Sequence, residues 1–216
     1  MTSYYAEHLS AERLRKCYEI APPRVRQYLT AELAFVLNRL RATDVVLELG
    51  CGYGRVLKDL ATKAHLAVGI DSSAASVQLG RELLRDVPNC QLLQMDAASL
   101  GFRERAFDVV MCIQNGVSAF KVDPQRLLSE CLRITRPGGR VLLSSYAAKF
   151  WPHRLEWFRL QAEHGLLGEI DWTASRDGVI VCKGGFKATT VPTGSVPWPP
   201  PLACNVRSER LTNRAS

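Results

Sequence analysis

The stretch Val45-Val-Leu-Glu48-Leu-Gly50-Cys51-Gly52-Tyr53-Gly54 puts one acidic side chain and three alternating glycines at the end of an apolar run. Glycine tolerates dihedrals closed to other residues and lets a ligand approach the backbone. The helix that such a turn opens offers unpaired amides and a partial positive charge. Several nucleotide-binding families use a turn of this kind, so the details around it decide. The spacing is GxGxG with Glu48 just ahead, rather than GxGxxG, and no GK[ST] follows. A carboxylate beside the loop repels a pyrophosphate but can engage an amino group. About twenty residues on, Gly69-Ile70-Asp71 closes a second apolar run, where a carboxylate can accept two hydrogen bonds from ribose hydroxyls. The ligand implied has a ribose and a cationic end, without a required phosphate.

These residues need a frame. After a helical opening, with Leu9, Arg13 and Cys17 on one face and a break at Pro22-Pro23, apolar positions from Val25 to Leu40 recur at helical spacing. From Asp44 the pattern becomes short apolar runs alternating with amphipathic stretches. Strands are expected at Val45–Leu49, Leu66–Ile70, Gln91–Gln94, Phe107–Ile113 and Arg140–Ser145. Helices are expected around Val56–Ala64, Val77–Val87 and from Asp123-Pro124, an N-cap and first-turn proline, to Arg136-Pro-Gly-Gly139. That rhythm implies an α/β fold: a doubly wound, mostly parallel sheet with helices on both faces and a helical cap over residues 1–43. The core covers residues 44–191. Arg154–His164 reads as a further helix ended by Gly165, and Val179–Cys182 with Phe186–Val191 as a hairpin around Lys183-Gly-Gly185. Residues 192–216 hold five of the eleven prolines within Pro192–Pro201, and an extended or disordered tail is expected there.

The chain has 216 residues, 47% of them hydrophobic and 23% charged, which excludes a wholly disordered chain, a collagen-like fibre and a coiled coil. No apolar run spans a bilayer and the N-terminus does not resemble a secretory signal, so a cytoplasmic location without membrane attachment is expected. The seven cysteines are scattered, with no CxxC pair; they are expected to be reduced, with no metal bound. The net charge of +7 could attract nucleic acid or an acidic substrate but is spread along the chain.

From Asp44 to Tyr146 the sequence resembles the class I S-adenosylmethionine-dependent methyltransferases. The resemblance rests on Glu48-Leu-Gly-Cys-Gly-Tyr-Gly54, Gly69-Ile-Asp71, Gln94-Met-Asp96-Ala97, Phe107-Asp-Val-Val-Met-Cys-Ile113 and Arg136-Pro-Gly-Gly-Arg-Val-Leu-Leu143, in that order. It implies S-adenosyl-L-methionine as cofactor and a Rossmann-like methyltransferase fold, of the type that acts on small molecules, with no nucleic-acid module. Carried over by position, Gly50, Cys51, Gly52 and Gly54 would shape the pocket for the methionine part, with Glu48 beside them. Asp71 would hold the ribose, with Ser72 in the same turn; Asp96 would receive the adenine amino group, with Ala97 nearby. Ile113, Gln114 and Asn115 would face the sulfonium and the acceptor, and Tyr4, Tyr5 or Tyr18 would close the pocket from the cap.

Plainer readings stand beside these. Asp71 would equally cap the helix beginning near Ser72, Asp96 would serve as a turn residue, and Gln114 and Asn115 would satisfy backbone groups at a strand end. Cys51 reads as a loop spacer rather than a nucleophile. No catalytic base is assigned: His153 is the candidate by type, and a structural histidine reads as well. The aromatics between Trp151 and Trp172 would wall a planar acceptor or fill the core of one helix. The family's sheet-closing strands have no clear counterpart, since Val179–Val191 reads as an inserted hairpin, which leaves a sheet edge open and a monomer or homodimer both compatible. The rival functions are an RNA or protein methyltransferase, a cofactor-binding but inactive partner or regulator, and, more distantly, a nicotinamide-dependent oxidoreductase.

Overall fold

In the computed structural model, which describes residues 4–120 and 122–191, the five apolar runs are strands of one sheet. They are β1 (Val45–Leu49), β2 (Leu66–Asp71), β3 (Cys90–Gln94), β4 (Phe107–Cys112) and β5 (Thr135–Leu143). Their order is β3-β2-β1-β4-β5 and every pairing is parallel. The central strands β1 and β4 are covered on both faces, which is why their sequences are almost unbroken apolar runs. The chain steps outward from β1 through β3, then crosses back to β4. The carboxyl ends of β1 and β4 therefore flank a topological switch point, where open α/β sheets bind ligands.

Alternation along β1 sorts the layers. Leu47 and Leu49 face α6 (Pro124–Ile134), packing with Leu127, Leu128, Cys131 and Ile134. Val46 faces the opposite layer, with Val36 of α3 (Pro23–Leu37), Leu57 and Leu60 of α4 (Leu57–Ala61) and Val77 of α5 (Ala74–Leu83). The two-residue period carries Glu48 to that same side, at the carboxyl end of the strand. At the opposite end the sheet is tied by ion pairs. Arg136 Nη1 donates to both carboxylate oxygens of Asp108, at 2.8 and 2.7 Å, and Asp108 Oδ2 accepts the Val45 amide.

A third layer lies over the switch point. It joins α1 (Tyr4–His8), α2 (Ala11–Glu19) and α7 (Trp151–Glu163) to a separate antiparallel pair, β6 (Ile180–Val181) and β7 (Lys187–Ala188). Leu9, Cys17, Phe158, Ile180 and Phe186 form its core, so both ends of the described chain build one cap.

Four expectations change. The helix after Asp123 stops at Ile134, and Arg136-Pro-Gly-Gly139 belongs to β5, which starts at Thr135 rather than Arg140. A register shift between Phe107 and Val109, with Gly138 at φ +76°, absorbs the extra residues as a bulge. The glycine turn leads into a helix of only five residues, preceded by successive turns from Gly52 to Val56. The N-terminal helix breaks at Leu9-Ser10, where the Ala11 amide donates to Ser76 Oγ of α5 at 2.9 Å. The main sheet is wholly parallel, and the 180–188 hairpin stands apart from it, so β5 is an edge strand among the described residues. The six described cysteines are free thiols. No described helix is long and apolar enough to cross a membrane, and the described residues hold no cluster of metal-ligating side chains. Cys204 and the expectation for residues 192–216 lie outside the described residues.

Candidate active site

The glycine turn is anchored before it is shaped. The amides of Gly50 and Cys51 both donate to the Ile70 carbonyl, at 2.8 and 3.0 Å, which holds the turn against the end of β2. Gly50, Gly52 and Gly54 have φ of +72°, +55° and +76°, the left-handed region that glycine enters without a Cβ penalty. Asp71 then clasps the turn: Oδ2 accepts the Gly52 amide and Oδ1 the Ser73 amide, each at 2.9 Å. Ser73, not Asp71, caps α5, with its hydroxyl accepting from the Ser76 amide. A carboxylate has about four acceptor positions, so two remain on Asp71. Burial pushes its pKa up, opposed by those two amide bonds.

Above this turn lies a cavity of about 710 Å³, within the range of small-molecule sites. Of the residues placed in the site from sequence, Glu48, Gly50, Cys51, Gly52, Asp71, Ser72, Asp96, Ala97, Ile113, Gln114 and Asn115 line it. Gly54 does not. It faces the layer behind, where an added Cβ would come within 2.7 Å of Leu84, so its service is packing. Asp96 is exposed at the cavity mouth, and its Oδ1 accepts the Ala98 amide at 2.8 Å. The Cys51 thiol is buried, and desolvation beside Glu48 and Asp71 raises its pKa well above the ordinary value, as suits a spacer.

Three buried polar atoms lining the cavity have no hydrogen-bond partner among the described residues: Glu48 Oε2, Arg55 Nη2 and Gln114 Nε2. Glu48 is 5% exposed. Burial pushes its pKa up to about 7, against the opposing pull of Arg55, while Asp71 and Glu32 push it further up. Glu32, on α3, is buried behind it and bonded by the Tyr28 hydroxyl at 3.3 Å. Gln114 and Asn115 both have positive φ, at 57° and 63°, a backbone state in which non-glycine residues concentrate at functional turns. Tyr18 of α2 spans the gap: its hydroxyl donates to Gln114 Oε1 at 3.1 Å and the Arg55 guanidinium lies 4.4 Å from its ring centre.

The cap closes the far side. Tyr4, Tyr18, Tyr146, Trp157 and Phe158 line the cavity, with Arg154 and Gln161 of α7. The side chain of Tyr5 lies outside the described residues. Of the three tryptophans in the 151–172 stretch only Trp157 reaches the cavity, fixed by donation from Nε1 to the Cys17 carbonyl at 2.8 Å. Trp172 is 57% exposed and elsewhere. His153 packs on Phe150 and does not line the cavity, and no histidine does among the described residues. The hairpin contributes its exit strand. The Thr189 carbonyl accepts from Asn115 Nδ2, Ser118 Oγ and Arg154 Nη2, and the Val191 amide donates to Ser145 Oγ.

Sequence reasoning missed Arg55, Glu32, Arg154 and the Thr189 segment. Arg55 carried a signal, since it directly follows the third glycine. The others come from distant elements, and nothing local marks them.

Residues 46–139 match the family described as a methyltransferase domain. Among curated proteins, the chain is 30% identical over 106 residues to a demethylmenaquinone methyltransferase of Clavibacter sepedonicus, covering 49% of this chain and 42% of that one. It is 28% identical over 145 residues to the tRNA N(3)-methylcytidine methyltransferase Mettl2 of Drosophila melanogaster, covering 63% and 43%. The matches thus span less than half the length of either relative. Among solved structures, the YcgJ protein of Bacillus subtilis aligns over 64% of this chain and 67% of its own, with a TM-score of 0.50 and 21% identity, a likeness of fold. The matched span holds the five strands, but for the first residue of β1 and the end of β5, and the glycine turn clasped by Asp71, so this part of the chain is similar to methyltransferase domains in both sequence and fold.

Proposed function

We propose that the cavity binds S-adenosylmethionine and that the chain transfers its methyl group to a small-molecule acceptor. The observation that carries this reading is the enclosure of Glu48, Asp71, Gln114 and the glycine turn in one cavity beneath an aromatic cap. The residues fit the cofactor: Glu48 keeps an orphaned acceptor for an ammonium group, Asp71 keeps two acceptor positions for a ribose, and Gly50 and Gly52 supply the positive φ that the turn requires. When bound, the cofactor supplies a methyl group already made electrophilic by the sulfonium.

The chain's own task is then alignment. Gln114, held on Tyr18, faces the cavity at the end of β4, where the acceptor meets the methyl group. Tyr146, Trp157 and Phe158 wall an acceptor with an apolar or planar body and exclude water. In-line placement of this kind supplies several kcal/mol, roughly 7–11 in favourable cases. The Tyr18 hydroxyl is committed to Gln114, and burial raises its pKa, so it stays a neutral phenol. No side chain on the cap side is assigned as general base.

Calorimetric titration with S-adenosylmethionine tests the first half: saturable binding that Asp71→Ala weakens is expected, with no binding of a nicotinamide dinucleotide. Well-folded protein that binds no S-adenosylmethionine would defeat the reading. An acceptor panel of small phenols, amines and carboxylates beside total tRNA tests the second half. The net charge of +7 and the tRNA-modifying relative favour the rival acceptor. Methyl incorporation into tRNA alone, with binding that falls steeply in salt, would replace the small-molecule assignment. Cofactor binding without turnover on any acceptor would point to an inactive partner.

A further inference from the structure

Helix α7 turns polar residues toward the interior. Arg154, Trp157, Phe158 and Gln161, spaced i, i+3, i+4 and i+7, are its buried residues, and all four line the cavity. A helix packed on an apolar core ordinarily leaves arginine and glutamine in water. Here Arg154 is 1% and Gln161 3% exposed, one on either side of an aromatic pair. The Arg154 guanidinium donates from Nη1 to the Gly178 carbonyl at 2.6 Å and from Nη2 to the Thr189 carbonyl at 3.1 Å. Those bonds orient the group without cancelling its charge, since a carbonyl oxygen is a neutral acceptor. No described residue hydrogen-bonds the Gln161 side-chain amide.

Charge divides across the cavity. The acids among its described lining residues are Glu48, Asp71 and Asp96, all at or just past the carboxyl ends of β1, β2 and β3. The cap wall holds Arg154 and the exposed Lys187, and no acid among the described residues. A cation belongs against the strand ends, and the cap side suits a ligand of the opposite sign. In a wall of low dielectric a buried guanidinium favours an anion far more than an exposed ammonium does. One buried positive charge matches a carboxylate; a phosphate dianion would leave a negative charge over. The neighbours of Arg154 define the rest of the ligand. The Tyr146 and Phe158 ring centres lie 5.3 and 5.5 Å from the guanidinium carbon, and such rings pack best on a planar body. Gln161 follows two turns along the helix, about 10 Å from Arg154. On the reading that the cavity takes S-adenosylmethionine, we infer that the acceptor is a planar carboxylic acid, its carboxylate held by Arg154, its body on Trp157 and Phe158 and its far end within reach of the Gln161 amide.

Calorimetry on protein saturated with S-adenosylhomocysteine, which blocks turnover, would compare benzoate, cinnamate and 4-hydroxycinnamate with their primary amides. The wild type is expected to bind each acid roughly 10-fold or more tightly than its amide, the contribution of one charge-assisted pair. It should also bind 4-hydroxycinnamate more tightly than cinnamate. Arg154→Met should bring acid and amide within about twofold of each other, with the affinities for the amides and for S-adenosylhomocysteine kept. Arg154→Lys should restore part of the preference. Gln161→Leu should erase the gain from the hydroxyl and leave the ratio of acid to amide as it was. If Arg154 served only to clamp Gly178 and Thr189, Arg154→Met would melt earlier and keep the wild-type ratio, which would overturn the proposal. Equal wild-type affinity for acid and amide would do the same, as would failure of every acid to bind protein that holds S-adenosylhomocysteine. Should Arg154→Met not fold, the wild-type ratio and Gln161→Leu decide, and a hydroxyl gain unchanged in Gln161→Leu would overturn the placement. Folded protein that binds neither S-adenosylmethionine nor S-adenosylhomocysteine would instead defeat the cofactor reading, and the acceptor with it.

Discussion

At the scale of single residues, Glu48 sets a conflict between stability and binding. Its pKa rises from 4.5 to about 7 because the folded chain takes it out of water. The folded state thus holds this proton more tightly than the unfolded chain. The stability linked to it is full below pH 4.5 and is lost as pH rises through 7, by roughly 3 kcal/mol at most. Glu48→Gln removes the conflict. Its melting temperature is expected to exceed that of the wild type by a margin that grows between pH 5 and pH 8, while its affinity for S-adenosylmethionine falls. A margin that stays constant with pH would show that Glu48 does not titrate in this range. The proposed contact of Glu48 with the cofactor's ammonium would favour the carboxylate, so titrations near pH 7 in buffers of different ionisation enthalpy should reveal proton release. Arg55 opposes the rise in pKa, and Asp71 and Glu32 add to it, so Arg55→Met is expected to move the midpoint upward.

At the scale of elements, α5 approaches the glycine turn more closely than a helix with side chains on that face could. A Cβ on Gly80 would lie 2.4 Å from a Leu92 methyl and 2.9 Å from the Tyr53 carbonyl oxygen. Alanine at this position gains about 1 kcal/mol of helix propensity but overfills a closed contact, at about 1–3 kcal/mol. Gly80→Ala should therefore lower the melting temperature and, by pushing on Tyr53, weaken cofactor binding; a rise in both would show that the turn yields freely. Asp123 caps α6 by accepting the Gln125 amide at 3.2 Å. Asp123→Ala is expected to cost about 1 kcal/mol in chemical denaturation and to weaken cofactor binding, since its neighbours Val122 and Pro124 line the cavity. Both the Asp123 cap and the five strands could be read from sequence, because each rests on local chemistry or on a run of apolar residues. The true start of β5 could not: the Arg136-Pro-Gly-Gly139 motif looks like a helix stop, and only its pairing alongside β4 shows that it is a bulged strand.

At the scale of the molecule, the cap joins the first and last described elements over the switch point of the sheet. The exit segment of the hairpin is held at the site by the Thr189 carbonyl, which accepts three donors from the β4 loop and α7. Asn115→Ala removes one of them and also the partner of Ser145 Oγ, which bonds Asn115 Oδ1 at 2.8 Å. Faster amide exchange confined to the 186–191 segment is expected, with exchange in β1 and β4 unaltered. Uniform acceleration would mean that the cap and sheet open together. Ligand binding should tighten the same segment, and cofactor at about 100 times its Kd should add about 2.7 kcal/mol to global stability.

The sequence by itself determined the layered α/β frame, the turn at Glu48–Gly54 and the carboxylate at Asp71, because these depend on short-range periodicity and on glycine's freedom near a ligand. Tertiary structure decided which of those residues reach the cavity. It turned Gly54 to the packing layer behind, left His153 on Phe150, and brought Tyr18, Arg154 and Thr189 to a site whose glycine turn lies more than a hundred residues from the last two. It also decided that Arg55 and Glu48 face one space without touching. The physical reason is that burial and charge spacing are set by non-local packing. Two side chains seven positions apart in sequence can be paired, separated or unrelated, and only the cap that stacks Tyr18 on Arg55 selects among the three.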